Sequence, residues 1–279
     1  MTARIDRTLP FPDYLRADAY GSSDLKAFRV GPPAMVPWRR ANRVDTTSTR
    51  VGTAAHCAIL TPSLFDLYYA IKPEGMSFAT KEGKAWREEH GARDILTWDE
   101  ATAVRGIVAA FHDKYWADQS LRGAIGIESS VFWECAKTGL PCKARPDWFD
   151  VSAVYELKAS IVADRGDHEK ITFAAYREGW MHQLAHNRAA LQAVGLGVAV
   201  GRIVVISPNP PHSVWLLEVS ENDMDFLEMD NTNTRLGMAE CHRTGHWPGT
   251  PDSWQAIELP ASAAFTESDL EGATDVLMQ

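Results

Sequence analysis

Asp147, Glu156 and Lys158 have the types and spacing for hydrolytic chemistry on a phosphodiester. They fall in the stretch ARPDWFDVSAVYELKAS, residues 144–160. Its alternation predicts that Asp147 ends one strand and that Glu156 and Lys158 lie on the next. Two apart on a strand, Glu156 and Lys158 project from one face, and Asp147 on the adjoining antiparallel strand can approach that face. Two carboxylates converging on one point make a hard oxygen site suited to Mg²⁺ or Mn²⁺. Like charges so close are costly without a cation. The neighbouring ammonium can orient an attacking water and stabilise negative charge as the ester bond breaks. An acid and a base two apart on a strand can equally form a solvated edge, so this spacing alone does not separate the two readings.

The rest of the chain supplies elements that could position these residues. Residues 1–20 are Pro-rich and read as irregular. A short helix is expected from a Ser22–Ser23 cap to the GPP stop at 31–33, and a second from Arg50 to Leu60. A short strand near 69–72 precedes a polar helix from about Lys81 to His90. Thr97-Trp98-Asp99-Glu100 is a capping box whose helix should reach about Trp116. The period then changes to two. Residues 126–135 and 141–149 flank Lys137-Thr138-Gly139 as a β-hairpin, and Val151 to Lys158 is a further strand. Helical sequence follows from about Asp167 to Val194, then strands at 199–207 and 213–219. Ser220 with Asp223 caps a last helix to about Thr244. This order predicts one α/β domain over 1–260 with a mixed central sheet flanked by helices. Residues 261–279 read as an acidic, disordered tail.

Composition is that of an ordinary globular protein, 45% hydrophobic and 23% charged. No apolar run is long enough for a membrane span, and the N-terminus lacks a signal pattern, so a cytoplasmic location is expected. The four cysteines, Cys57, Cys135, Cys142 and Cys241, read as reduced thiols. A net charge of −9 argues against a nucleic-acid partner only until its distribution is read. From Glu218 to the end there are 13 Asp and Glu against 2 Arg and no Lys, which leaves 24 acids and 26 Lys and Arg in residues 1–217. The body of the chain can therefore still carry a basic, phosphate-facing groove.

Pro146-Asp147 followed by Glu156-Leu157-Lys158 resembles the PD-(D/E)xK nuclease pattern. More specifically, the chain resembles the RecE-like (exodeoxyribonuclease VIII) phage and prophage exonucleases, relatives of lambda exonuclease and of the RecB nuclease domain. The likeness runs through SSDLKAF at 22–28, VGTAAHCAIL at 51–60, TGLPCKARPDWF at 138–149, the Gln183 helix and GHWPGTPDSWQAIELP at 245–260. It implies a restriction-endonuclease-like core and a Mg²⁺-dependent (or Mn²⁺-dependent) exonuclease acting on double-stranded DNA ends, 5′ to 3′. It also implies a homo-oligomeric ring, a single-strand annealing partner in recombination, and a phage or prophage origin.

The same resemblance implies roles for individual residues. Asp147 and Glu156 would be the central metal ligands, with the Leu157 carbonyl as a backbone ligand, and Lys158 would position the attacking water. His56 would be an additional metal ligand and Glu128 would bind or orient a second metal. Gln183 would contact the nucleophile or DNA, and Ser22, Ser23, Arg50 and Arg145 would contact phosphates. Each has a plainer alternative. His56 could be a core histidine, Glu128 a solvent-facing strand residue, Ser22 and Ser23 helix caps, and Arg145 the partner of a neighbouring carboxylate. Related nucleases often carry Tyr four residues after the helix Gln. Asn187 stands there in this chain, which bears on DNA contacts and is expected to leave the metal site untouched.

Other signals point away from other chemistries. His182 and His186 have the spacing of a zinc helix but lack the intervening glutamate and a third ligand. The glycines at 195, 197 and 201 follow a helix and precede a strand, the reverse of a dinucleotide fingerprint. Only Cys241 lies near the C-terminus, so no iron–sulfur cluster is expected, and no Walker A motif is present, so no nucleotide cofactor is expected. Two rival readings remain: a nuclease of other polarity or substrate on the same fold, and a non-catalytic DNA-binding module.

Overall fold

The segment AVYELKA forms the central strand, Ala153–Ala159, with its first five residues buried, as a strand covered on both faces must be. A computed structural model describes residues 2–42 and 47–253 of the chain. In chain order the elements are β1 (Arg4–Asp6), α1 (Phe11–Arg16), α2 (Ser22–Val30), α3 (Met35–Ala41), α4 (Thr47–Leu60), α5 (Phe65–Tyr68) and β2 (Tyr69–Ile71). Next come α6 (Lys81–His90), β3 (Asp94–Leu96), α7 (Trp98–Asp113), α8 (Tyr115–Arg122), β4 (Gly126–Ile127), β5 (Ser130–Glu134), β6 (Pro141–Ala144) and β7 (Trp148–Phe149). The central strand is β8, followed by α9 (His168–Arg177), α10 (Trp180–Ala193), β9 (Val200–Ile206), β10 (Val214–Val219) and α11 (Glu221–Thr244).

The main sheet has the order β10-β9-β8-β7-β4. Its β8–β9 pair is parallel and its other pairs antiparallel, so the sheet is mixed as expected. Alternation along β8 divides its side chains between two cores. Ala153, Tyr155 and Leu157 join Trp148, Ile59, Ile107 and Phe111 on the α4 and α7 side. Val154 joins Phe149, Ile203, Val205, Leu184 and Leu191 on the α10 side. Glu156 and Lys158 share the parity of Val154 and so face α10. That helix is buried nearly all round, including His182, His186, Asn187 and Arg188, so its polar groups serve the interior instead of water.

The hairpin at 126–149 departs from the expected pair of continuous strands. Each arm is broken in its middle. The outer halves β5 and β6 form a separate three-stranded sheet in which β5 lies between β1 and β6, and the inner halves β4 and β7 join the main sheet. Glu128 and Ser129 lie in one break; Arg145, Pro146 and Asp147 lie in the other. Glu128 adopts a left-handed φ of 47° where the chain leaves one sheet for the other. The hairpin turn itself is as expected, with Gly139 at φ 68°.

Two further expectations are corrected. Residues 1–20 are not wholly irregular, since β1 pairs with β5 and α1 follows it. The helix after Thr97 ends at Asp113, and α8 starts afresh after an extended Lys114. The helical sequence over 167–194 forms two helices, α9 and α10, separated where Gly179 takes φ 76°. All of these elements lie in one compact unit, Met1–Pro248. The expected boundary at 260 and the acidic tail at 261–279 lie outside the described residues. Among the described residues, no helix is long and apolar enough to cross a membrane.

Candidate metal centre

The site forms where a ladder stops. β7 pairs with β8 only at Trp148–Tyr155 and Phe149–Val154, whereas β9 follows β8 to Ala159 on the other side. Beyond Tyr155 the backbone groups of β8 that point toward β7 have no strand to meet, and buried groups of this kind must be paired. The Leu157 N–H donates to Asp147 Oδ2 at 2.6 Å. Its carbonyl accepts from His56 Nε2 at 2.7 Å. Small residues bring α4 close enough for this contact, and Gly52 lies against Ala159 of β8.

His56 is held neutral, because burial and the charge of Lys158 both lower its pKa. A neutral ring that meets a carbonyl must donate to it, so Nε2 carries the hydrogen and Nδ1 a lone pair. That lone pair sits 3.7 Å from Asp147 Oδ2. Two acceptors facing each other repel unless a cation or a proton lies between them, and 3.7 Å is longer than a hydrogen bond would make it. Glu128 completes the group: one ligand atom each from His56, Glu128 and Asp147 lies within 4.8 Å of the others. Opposite ligands of an octahedral Mg²⁺ stand about 4.2 Å apart, so this spacing fits a divalent cation.

Glu156 is beside this trio, not within it. Its side chain is fully buried, and both oxygens are occupied. Oε2 accepts from Lys158 Nζ at 2.7 Å and from Gln183 Nε2 at 2.8 Å, and Oε1 accepts from Asn187 Nδ2 at 2.5 Å. Gln183 Oε1 in turn accepts from Lys158 Nζ at 3.0 Å. Burial pushes Glu156 up to about 7, with Asp147 adding to the rise and Lys158 opposing it. Burial likewise raises Asp147 to about 7, opposed by Lys158 and reinforced by Glu128. Burial would lower the pKa of Lys158, but Glu156 and Asp147 outweigh it, so the ammonium keeps its charge.

The structure thus brings Asp147, Glu156, Leu157, Lys158, Gln183, His56 and Glu128 together. The weaker candidates are engaged in other contacts, and of these only those of Arg145 reach the group. Ser22 and Ser23 begin α2, but its cap is Gly21, whose N–H donates to Asp24 Oδ2 at 2.9 Å. Arg50 is paired with Glu100. Arg145 takes the second of its two expected roles, with Nε donating to Glu128 Oε2 at 2.8 Å. His182 is held by Asp230, and His186 by the Lys143 carbonyl and Arg235. Asn187 corrects the expectation that the residue four after Gln183 leaves the site untouched: it holds Glu156. The signal was available, because residues i and i+4 of a helix share a face.

No family model matches the sequence, and no curated protein matches it. Among solved structures, the fold is similar to that of a Eubacterium rectale protein provisionally named an exonuclease. The TM-score is 0.56 at 15% identity, over 88% of this chain and 96% of that one. At this identity the likeness concerns the fold.

Proposed function

We propose that the protein is a divalent-metal-dependent deoxyribonuclease that hydrolyses phosphodiester bonds of linear double-stranded DNA. The observation that carries the reading is the meeting of His56, Glu128 and Asp147 beside the Glu156–Lys158 pair, at the edge where β7 leaves β8. The provisional naming of the Eubacterium rectale protein as an exonuclease supports the same class. A 5′-to-3′ direction, 3′ single-stranded products for recombination, a ring-shaped oligomer and an annealing partner rest on the RecE-like sequence resemblance alone.

When bound, a divalent cation supplies Lewis-acid polarisation of the scissile phosphate and activation of a water. The protein's own residues do the rest. His56 Nδ1 and the carboxylates of Asp147 and Glu128 hold the cation. Glu156 and Gln183 hold the Lys158 ammonium from two sides, which leaves it a further N–H for the attacking water or a phosphoryl oxygen. Asn187 and Gln183 keep Glu156 from turning away.

The test compares wild type with Asp147→Ala and Lys158→Ala on a 5′-phosphorylated linear duplex, with Mg²⁺ or with chelator. Digestion should need the metal and be lost in both variants. Digestion that survives both substitutions refutes the site. End-labelled, circular and single-stranded substrates distinguish the 5′ exonuclease from other nuclease activities, and binding without cleavage identifies a DNA-binding module.

A further inference from the structure

Arg145 and Glu128 face each other across the two breaks in the hairpin, and the surroundings of Arg145 are unusually complete for a residue beside a cation site. Its side chain is 13% exposed. Nε donates to Glu128 Oε2 at 2.8 Å, while Nη1 donates to the Leu9 carbonyl and to Ser130 Oγ, both at 2.9 Å. The guanidinium carbon lies 5.6 Å from the centre of the Phe11 ring and 5.9 Å from that of Tyr14. Three of these neighbours, Leu9, Phe11 and Tyr14, belong to the N-terminal segment.

That segment is itself fastened nearby. Lys143, 5% exposed, donates from Nζ to the carbonyls of Tyr14, Leu15 and Ala17, which satisfies the C-terminal end of α1. β1 pairs with β5 just beyond Glu128. Glu128 also needs outside support, because its left-handed backbone is unfavourable for a residue with a Cβ. Its N–H is fixed to the Asp147 carbonyl at 2.9 Å, and its carboxylate gives one oxygen to Arg145. The other oxygen is then free to take a cation.

We propose that Arg145, clamped by the N-terminal segment, is a positioning residue that sets Glu128 as a cation ligand. The inference rests on the metal-dependent reading given above. It makes a prediction opposite in sign to simple electrostatics. Deleting a positive charge beside a cation site should tighten cation binding if charge is all that Arg145 contributes. Deleting a positioning group should weaken it, by about 10- to 100-fold where outer partners of metal ligands have been removed.

The experiment measures Mn²⁺ binding calorimetrically for wild type, Glu128→Gln, Arg145→Met and Arg145→Lys, without DNA and without reference to activity. Weaker binding is expected for all three variants, including Arg145→Lys, which keeps the charge but loses the planar fork. Ser130→Ala, which removes one contact to Arg145 and no charge, should weaken binding by a smaller factor and serves if Arg145→Met does not fold. Binding at wild-type strength in Arg145→Lys and Ser130→Ala, or tighter binding in Arg145→Met, overturns the proposal. A wild type that binds Mn²⁺ while Glu128→Gln binds it equally well removes Glu128 as a ligand and the inference with it, but leaves the metal-dependent reading standing. A wild type that binds no Mn²⁺ overturns both.

Discussion

Replacing Asn187 by Leu removes the donor to Oε1 of a carboxylate that is completely buried. Leu has the same number of side-chain heavy atoms but is bulkier than Asn, so at this buried position a packing cost that does not depend on pH adds to the lost hydrogen bond. A hydrogen bond to a charged acceptor is worth about 1.5–3 kcal/mol, and Glu156 loses one of three donors. At about 1.4 kcal/mol per pK unit, that loss raises Glu156 by a further 1–2 units, roughly. Burial has already brought it to about 7, so at neutral pH its ionised fraction falls from roughly one half to roughly a tenth or less. Because a protonated Glu156 contributes no negative charge to the site, cation affinity and DNA hydrolysis at pH 7 should fall by about 5- to 50-fold. Both should recover at pH 9, where the carboxylate ionises again. The assay is a profile of Mn²⁺ binding and duplex digestion from pH 6 to 9.5, with wild type alongside. A deficit of the same size at every pH would refute the reasoning, since it would make Asn187 a packing residue and not a hydrogen-bond donor to Glu156.

Three other outcomes are expected. With chelator present, the raised pKa values of Asp147 and Glu156 mean that the folded protein holds more protons than the unfolded chain between about pH 4 and pH 7. Stability to urea from these groups should therefore fall as pH rises through that window, and Mg²⁺ at 100 times its Kd should return about 2.7 kcal/mol above it; a flat profile in chelator counts against the buried carboxylates. In Gly126→Ala, the new Cβ would stand 2.2 Å from the buried Phe149 ring, so overpacking should cost about 1–3 kcal/mol in thermal unfolding. An unchanged Tm would contradict the close pairing of β4 with β7. Lys143→Met strips three carbonyls at the end of α1 of their donor, and limited proteolysis should then cut within residues 7–18 well before the rest of the chain. Equal resistance in variant and wild type would show that α1 is held by other contacts.

What could be read from the sequence follows how local each signal is. The Thr97–Glu100 capping box and the Ser220 cap are formed by residues three apart, and both are present. The turn at Gly139 is equally local. By contrast, the break at Lys114 is hidden because Tyr115 and Trp116 continue an apolar period across it. The interruptions at Glu128 and Arg145 depend on β1, which lies more than a hundred residues away and diverts half of the hairpin into a second sheet. The same logic holds at the site. Asp147, Glu156 and Lys158 were marked by strand spacing, and His56, Glu128 and Gln183 by the family pattern. The split of Glu156 from the His56–Glu128–Asp147 trio was not visible, since it depends on which donors fill the Glu156 oxygens.

The broken hairpin also separates what makes the chain fold from what makes it work. Glu128, Arg145 and Asp147 sit between ladders, so none of them belongs to a strand pair. Variants that have lost the cation site can therefore be well-expressed, soluble and cooperative in melting. A library of this protein sorted by foldedness would retain them alongside the wild type, and only a measurement made at the gap itself would tell them apart.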